Sequence, residues 1–409
     1  MNNPARDQPD NIVIVQSSFF PDTTSVAQLL TDLVSRLQQA VGVQTTVLCD
    51  SSPHVVPATA VPAGIRSVDI RRLRLPHRPR WILGRRPIRY AAYILWVWGS
   101  LLVGYRGSTV VSMTTPPLVA FAVAMALQFR RNRMVYYVED LYPELFHDLG
   151  YVSSPWLVRK LSSMSRIVLR RAQAVIVIGE YMAARIRSVY GVDNRKLHVV
   201  PNWSHDTGFL GAPPAVVTAR SERSFTILYS GNAGLAHDFT GLGPLVKRLR
   251  EIPGIRYRFV GGGERFSSVQ RMFRNLGEKR VTFAGFTARS AVAETLAMSD
   301  LLLIAQDPNT LGDIVPSKVY TYLAAGRPML FLGPVRSEIG NLILAHDVGY
   351  VLSSSYDAQG AAEYIDHLRT NPAYLQAASD RARRLFCERF SLDHAYERLE
   401  RVLLEEATA

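Results

Sequence analysis

The chain has 409 residues, 48% of them hydrophobic, which is ample for a large buried core and favours two domains over one. Its two cysteines, Cys49 and Cys387, lack metal-ligand spacing, so the composition excludes a cysteine zinc site and indicates a reduced compartment. The net charge is +13, and residues 66–133 alone carry +12 because they hold thirteen arginines and one acid, Asp69.

An uncharged stretch, Ala91–Tyr105, lies inside this basic segment and contains Trp96 and Trp98 between Arg89 and Arg106. It falls short of the roughly 20 apolar residues that a spanning helix needs, whereas its aromatics and flanking arginines are typical of a helix lying on a membrane surface. A buried core helix and a transmembrane span remain alternatives. Nucleic acid is a less favoured partner than anionic lipid or an anionic lipid-linked substrate, because no nucleic-acid-binding signature is present.

Strands and amphipathic helices alternate in the first half of the chain. We expect no signal peptide, since residues 1–10 are polar and the first apolar run, Ile12–Val15, is only long enough for a strand, which we place at Ile12–Gln16. A loop ending in the helix-capping residues Thr24 and Ser25 precedes a helix with apolar residues at helical spacing. The other predicted strands are Thr45–Leu48, Thr109–Thr115, Met134–Val138, Ala174–Ile178 and Leu197–Val200, with helices over 88–105, 117–129, 156–173 and 181–190.

Residues 204–224 break this alternation with Gly, Pro and Ser in no regular pattern, and they predict a linker. The alternation then resumes. The predicted strands are Phe225–Tyr229, Tyr257–Val260, Val281–Ala284, Leu301–Ala305, Met329–Leu332 and Tyr350–Leu352, with helices near 240–250, 266–276, 290–298, 317–325, 337–346, 359–368, 372–390 and 392–406.

The alternation predicts an α/β protein with two doubly wound Rossmann-like domains that face each other across a cleft. We place the first domain at 1–203 and the second at 225–390. The basic and apolar segment 66–133 is predicted to face a membrane, and 391–409 to form a C-terminal helix.

Three loops of the second half follow predicted strands and are rich in residues that suit phosphate binding. Ser230–Gly234 and Gly261–Gly263 bring glycines, and the third loop leads into Pro316, Ser317 and Lys318. Glycine lets backbone amides approach a pyrophosphate closely, and a helix N-terminus beside a lysine favours an anion. Because the carboxyl ends of parallel strands meet at one sheet edge, the loops predict a nucleotide site.

These motifs resemble those of GT-B glycosyltransferases of family 4, especially the branch that acts on lipid-linked bacterial polysaccharide precursors of colanic acid or O-antigen type. The resemblance covers about residues 11–390. The matching segments are Leu228–Gly234, Val260–Gly263, Val281–Gly285, Pro316–Pro328 and Val200–Ser204, with Thr114–Leu118 and Glu139–Glu144 in the first half.

The resemblance implies donor-binding roles for particular residues of the second half. Where the family often has two glutamates eight residues apart, contacting the donor sugar and the ribose, this chain has Asp313 and Thr321. Asn232 and His237 stand roughly where many relatives have an arginine and a lysine for the diphosphate. Lys318 therefore becomes the leading diphosphate contact. The predicted donor site comprises Gly231, Asn232, Gly261, Gly262, Gly263, Asp313, Pro316, Ser317 and Lys318.

For the first half, the resemblance places Glu139 and Asp140 at a strand end beside the acceptor. A carboxylate there could orient the acceptor hydroxyl or stabilise an oxocarbenium-like transition state, although an acid in such a loop is also a common turn residue. No Asp-x-Asp motif is present, so neither a metal nor another cofactor is expected. The predicted acceptor and membrane contacts are Thr24, Ser25, Arg85, Arg86, Trp96 and Trp98.

The resemblance thus implies sugar transfer, with retention, from a nucleotide-diphosphate sugar to a polyprenyl-diphosphate-linked saccharide in exopolysaccharide or O-antigen synthesis. The expected location is the inner face of the bacterial plasma membrane. Two alternatives remain open from the sequence: a sugar-nucleotide 2-epimerase with the same two-domain shape, and a non-catalytic membrane-associated scaffold.

Overall fold

A computed structural model describes residues 11–22, 24–41, 43–50, 61–73, 85–204, 224–287, 291–354 and 357–404. The chain divides into two compact units. The first consists of Met1–Pro201, Gly312–Ile314 and Leu392–Ala409, and the second of Asn202–Leu311 and Val315–Ser391.

The first unit is built on a parallel sheet of seven strands in the order β3-β2-β1-β4-β5-β6-β7. Strands β1, β2, β4, β5 and β6 are largely buried, as expected for parallel strands covered by helices. The strands are β1 Asn11–Val15, β2 Gln44–Asp50, β3 Asp69–Leu73, β4 Thr109–Met113, β5 Arg133–Val138, β6 Ala174–Val177 and β7 Leu197–Val199.

The helices of the first unit are α1 Ser25–Val41, α2 Arg85–Val103, α3 Val119–Ala126, α4 Glu144–Asp148, α5 Pro155–Arg171, α6 Glu180–Tyr190 and, from the chain's end, α14 Leu392–Leu404. Parallel crossovers are right-handed, so this strand order places α2, α3, α5 and α6 on one face of the sheet and α1 on the other. The last helix, α14, packs on α1, where Arg36 pairs with Asp393 at 3.0 Å.

The second unit has a parallel sheet of six strands in the order β10-β9-β8-β11-β12-β13. Its strands are β8 Phe225–Asn232, β9 Ile255–Gly262, β10 Val281–Ala284, β11 Leu301–Ala305, β12 Met329–Leu332 and β13 Gly349–Leu352. Its helices are α7 Leu242–Arg248, α8 Phe266–Leu276, α9 Val292–Ala297, α10 Lys318–Ala324, α11 Glu338–His346, α12 Ala358–Thr370 and α13 Pro372–Arg389.

The predicted α/β class with two parallel-sheet domains is confirmed, and most predicted elements lie within a few residues of the observed ones. The prediction missed β3 because this edge strand reads Asp-Ile-Arg-Arg-Leu and lacks an apolar run. It also missed α4, whose five residues are too few for a helical pattern. The predicted linker 204–224 falls almost entirely outside the described residues.

The described parts of segment 66–133 contain both buried and exposed residues, and the membrane-facing role stays a prediction. The segment contains the buried strand β4, and several of its arginines bind protein atoms. Arg89 forms two hydrogen bonds to Asp50, at 2.5 and 2.9 Å. Arg130 donates to the backbone oxygen of Gly104 at 2.9 Å. In these contacts the guanidinium groups bind protein atoms, whereas the composition alone suggested that they bind an external partner.

Helix α2 combines a core face with an exposed apolar face. Tyr93, Val97 and Leu101 are fully buried, as the core-helix alternative requires. The other face exposes Ile88, Leu95, Trp98, Leu102 and Val103. Across the described parts of the chain, none of the helices combines the length and apolar character needed to span a bilayer.

Candidate functional site

Lys318 opens α10, and its ammonium group reaches the carboxyl end of β8. Lys318 Nζ donates to the backbone oxygen of Asn232 at 3.0 Å and lies 3.3 Å from Nε2 of His237. It also lies 5.1 Å from the ring centroid of Tyr229, within the range of a cation–π contact. The structure thus brings together Lys318, Asn232 and His237, which the sequence assigned to one site.

The protonation states of this cluster follow from burial and charge. Burial, with the neighbouring Lys318 charge, lowers the pKa of His237 to about 3, so its ring is neutral at pH 7. The Nδ1 of His237 lies 3.2 Å from the backbone oxygen of Gly234, which assigns the ring proton to Nδ1 and leaves Nε2 to accept from Lys318. Burial lowers the pKa of Lys318 to about 8, so the ammonium form predominates at neutral pH.

Gly231 leaves space for the lysine side chain. Its φ is +117°, in the region that favours glycine, and a Cβ there would lie 2.9 Å from Cε of Lys318. Gly231 and Asn232 pair with Gly261 and Gly262 in the β8–β9 register, so these predicted donor residues form one strand end.

Gly263 lies in the turn that follows β9, where this turn contacts the residues at the end of β8. Its φ is +114°, and a Cβ would lie 2.5 Å from both the backbone oxygen of Ala233 and Oδ1 of Asn232.

We expect Gly263→Ala to lower the free energy of unfolding by about 2 kcal/mol or more, because the backbone must shift to admit the methyl group. Urea denaturation measures this. Gly285→Ala is the control, since nothing lies within 4 Å of its added Cβ, and equal stability of the two variants would contradict the prediction.

The third loop reaches the same sheet edge, because β11 is the neighbour of β8. The backbone N–H of Asp307 donates to the oxygen of Ala236 at 2.8 Å and joins the loops after β11 and β8. Pro316 and Ser317 form the turn into α10, their oxygens accepting from the next residues of the helix. Because α10 has only seven residues, the positive charge here comes mainly from Lys318 and less from a helix dipole than the sequence suggested.

Asp313 is fully buried and makes its side-chain contacts within the first unit. Arg185 Nε lies 3.0 Å from Asp313 Oδ1, and Arg185 also pairs with Asp148. Burial raises the pKa of Asp313 to about 8, although Arg185 opposes the shift. Its donor-sugar role stays a prediction, and its pairing with Arg185 was not predictable from the residues around it.

Thr321 stands at the position where the family often has its second glutamate. Its Oγ1 accepts a hydrogen bond from the hydroxyl of Ser204 at 3.1 Å. This contact lies within the second unit and links the segment after β7 to α10. The family's carboxylate is thus replaced by a hydroxyl that bonds to protein.

Glu139 and Asp140 follow β5 directly, as predicted. Burial and the neighbouring Asp140 raise the pKa of Glu139 to about 8, and burial raises that of Asp140 to about 6. The Tyr142 hydroxyl donates to Asp140 Oδ2 at 3.3 Å and favours its carboxylate form. At pH 7 the pair therefore offers a neutral Glu139 acid beside an Asp140 carboxylate.

The buried Glu139 predicts a specific pH dependence of stability. Its folded pKa lies above the unfolded value, so its contribution is present at low pH and is lost as pH rises towards about 8. Glu139→Gln should match the wild type near pH 4 and become more stable by roughly 2–4 kcal/mol near pH 8. Urea midpoints across pH 4–9 measure the difference, and a constant difference would contradict the assignment.

The residues predicted to contact acceptor or membrane have mixed environments. Thr24 Oγ1 accepts from the backbone N–H of Ala27 at 3.3 Å and caps α1, which is the structural role that the sequence left open for this loop. Ser25 begins α1 and is exposed. Trp96 is half-buried and Trp98 is 41% exposed on α2. Arg85 and Arg86 lie in α2, but their side chains lie outside the described part of the structure.

Several contacts of the candidate site could not be read from the sequence. Tyr229 and Tyr322 shape the β8 end, where Tyr322 Oη accepts from the backbone N–H of Ser230 at 3.1 Å. Both tyrosines lie inside apolar runs that predict only core packing. Within the described ranges, no group of three or more His, Cys, Asp or Glu side chains is arranged to hold a metal ion.

Two family descriptions match consecutive parts of the chain. "Glycosyltransferase Family 4" matches residues 26–204, and "Glycosyl transferases group 1" matches residues 215–385. Together they take in most of both units. The chain therefore carries a family 4 glycosyltransferase domain followed by a group 1 glycosyl transferase domain, the class of domain that the motifs predicted.

Two curated relatives have partial sequence similarity. WbjE of Pseudomonas aeruginosa, described as a glycosyltransferase, is 22% identical over 250 residues, covering 60% of this chain and 62% of its own. WcaI of Escherichia coli (strain K12), described as a colanic acid biosynthesis glycosyl transferase, is 27% identical over 158 residues, covering 37% of this chain and 39% of its own. The chain thus spans about three fifths and two fifths of these relatives.

Solved structures share the fold over almost the whole chain. WaaG, a glycosyltransferase involved in lipopolysaccharide biosynthesis, has a TM-score of 0.66 at 16% identity, covering 96% of this chain and 99% of its own. Anabaena HepE in complex with UDP has a TM-score of 0.65 at 16% identity with the same coverage. Sucrose-phosphate synthase from Thermosynechococcus elongatus has a TM-score of 0.69 at 15% identity, covering 96% and 98%. These likenesses show the GT-B fold.

Proposed function

We propose that the protein transfers a sugar from a nucleotide-diphosphate sugar to a polyprenyl-diphosphate-linked saccharide, with retention of configuration, during bacterial exopolysaccharide or O-antigen synthesis. The observation that carries this proposal is the ammonium group of Lys318 held at the glycine-rich ends of β8 and β9. The family matches support the transferase class, and they do not favour the epimerase or scaffold alternatives.

The second unit would bind the donor. Sugar transfer releases a nucleoside diphosphate, whose negative charge grows as the glycosidic bond breaks. Lys318 offers a fixed positive charge for that group, and the loops at Gly231 and Gly263 allow close approach of the phosphates. We propose that these groups stabilise the leaving group without an obligatory metal. HepE, which shares the fold, has been solved with UDP and with UDP-glucose, which supports a donor of this class.

The first unit would bind the acceptor. The Asp140 carboxylate follows β5 and is held by Tyr142, and it would orient the acceptor hydroxyl or stabilise the oxocarbenium-like transition state. Glu139, neutral beside it, would act as a hydrogen-bond donor. WcaI, described as acting in colanic acid biosynthesis, supports an acceptor from surface polysaccharide assembly.

We propose that the protein works at the inner face of the plasma membrane, where a polyprenyl-linked acceptor resides. The exposed apolar face of α2 supports this, because Leu95 is 66% and Val103 86% exposed beside Trp98. Arg106, which is exposed just after this helix, would complement anionic lipid headgroups.

The α2 face gives a direct test of membrane binding. We expect Leu95→Glu combined with Val103→Glu to lower the fraction floating with anionic liposomes at least about fivefold, because each change puts a charge into the interface. Leu344→Glu on α11, which is also exposed, is the matched control. Equal flotation of the double variant and the wild type would remove α2 from the proposed membrane contact.

The function itself is tested with a labelled sugar nucleotide and membrane extract that supplies lipid-linked saccharide. The expected result is label in the organic phase, with release of nucleoside diphosphate. An isomerised sugar nucleotide formed without any acceptor would instead establish the epimerase. Polysaccharide assembly that proceeds normally with Lys318→Ala would establish the scaffold.

A further inference from the structure

The first unit contains an apolar pocket between α3 and α5, with a volume of about 200 Å³. Phe121 of α3 and Tyr136 of β5 line it. Phe146 of α4 and Leu161 and Met164 of α5 complete its wall. The lining is mostly apolar, although the pocket lies near the carboxyl ends of β4 and β5, where polar residues follow the strands.

The pocket adjoins the candidate acceptor carboxylate. Tyr142 lines the pocket and donates its hydroxyl to Asp140 Oδ2 at 3.3 Å. Thr114 also lines it, and its Oγ1 accepts a long hydrogen bond of 3.5 Å from the backbone N–H of Asp140. The pocket and the proposed acceptor site thus share two side chains.

Three of the four polar side chains in the lining, those of Thr114, Tyr142 and Ser165, are already engaged with protein. Besides Tyr142 and Thr114, Ser165 donates its hydroxyl to the backbone oxygen of Tyr142 at 3.0 Å. A sugar ring placed here would bury several hydroxyls with few free partners, which disfavours it. A hydrocarbon would lose nothing by the same burial and would gain from it.

We infer that this pocket binds the first part of the apolar chain of the acceptor lipid, an isoprenoid-type hydrocarbon, beside Asp140. The inference rests on the proposed lipid-linked acceptor and adds the place where its chain is held. An apolar cavity of about 150 Å³ binds benzene, so the present volume accommodates roughly one to two five-carbon units.

The surroundings of the pocket fit an amphiphile with an anionic head. Leu118, which lines the pocket, is 44% exposed, and Trp156 and Leu157 on α5 are 63% and 36% exposed. Helix α5 has no acidic residue, and Lys160 Nζ lies 5.1 Å from the Trp156 ring centroid. Its exposed cations, Arg159, Lys160, Arg166 and Arg170, complement the phosphates of such a lipid.

Binding is tested on the whole protein labelled with ¹³C at the methionine methyl groups. Geranyl diphosphate is the probe, and inorganic diphosphate is its headgroup control. The Met164 signal, assigned with Met164→Leu, is expected to move with geranyl diphosphate and not with diphosphate, while Met298 of the second unit stays fixed. A Met164 signal that ignores geranyl diphosphate, or responds equally to both compounds, would overturn the inference.

Filling the pocket gives the second test. Ala120 lines it and is 5% exposed, so Ala120→Phe should raise the Kd for geranyl diphosphate at least about tenfold. Val189→Phe on exposed α6 is the control with the same aromatic side chain. Ala120→Leu adds less volume and serves if the larger residue prevents folding. An unchanged Kd in a folded Ala120 variant would contradict chain binding here.

The two proposals fail separately. If the wild type transfers sugar to a lipid-linked acceptor but the Met164 signal does not move with geranyl diphosphate, the transferase function stands and the pocket inference is overturned. If Met164 responds to the chain but no lipid-linked acceptor is glycosylated, the pocket binds a chain and the proposed function is rejected.

Discussion

Replacing Lys318 with alanine is expected to lower kcat/KM for sugar transfer at least about a hundredfold, the size of effect seen when one fixed donor to a developing charge is lost. The reason is geometric. Lys318 Nζ is held by the Asn232 oxygen and by His237, so the charge is already in place before the donor arrives. Initial rates over a range of donor concentrations measure the effect, with the folded state checked by circular dichroism.

The same lysine predicts a pH dependence of donor binding. Burial lowers its pKa to about 8, and a bound diphosphate favours the charged form, so affinity should fall about tenfold per pH unit above that value. Calorimetric titration with UDP at pH 7–10 measures this. Lys247→Ala, at an exposed position on α7, is the control. If Lys318→Ala binds UDP as tightly as this control, Lys318 is not the diphosphate contact.

Asp140→Asn is expected to lower kcat by roughly 10²–10⁴-fold, because the amide keeps the shape of the side chain but removes its negative charge. In the wild type, activity should rise as pH passes about 6, where the Asp140 carboxyl loses its proton. The variant should lose this acidic limb. Rates at saturating donor and acceptor from pH 5 to 8 measure both effects.

Donor binding separates a catalytic effect of Asp140 from misfolding. Because Asp140 belongs to the first unit, the affinity of the variant for UDP should equal that of the wild type. Asp380→Asn on α13 provides a control at an exposed aspartate. A variant with the wild-type kcat and pH profile would exclude Asp140 from the reaction.

The fold was predictable because its signals are local. Apolar runs of strand length, glycine stops and helical spacing are set by neighbouring residues, and Gly326 ends α10 in the left-handed conformation that its position suggested. The missed strand β3 shows the limit. Its residues form a strand because they pair with β2 at the sheet edge, and β2 is distant in the sequence.

The candidate site was predictable in part. Glycines and a lysine at strand ends identify one sheet edge, since parallel strands bring their carboxyl ends together. Side-chain partners were not predictable. The pairing of Arg89 with Asp50 and of Arg185 with Asp313 depends on tertiary packing, and the sequence shows only the charges. Charge density alone therefore does not show which arginines of 66–133 bind protein atoms.

A crystal structure of the protein with bound UDP is the most direct test of the donor site. We expect diphosphate oxygens within hydrogen-bonding distance of Lys318 Nζ, beside Gly231 at the end of β8 and Gly263 just after β9. Diphosphate density in a different part of the second unit, with the Lys318 ammonium still bound only to Asn232 and His237, would contradict it.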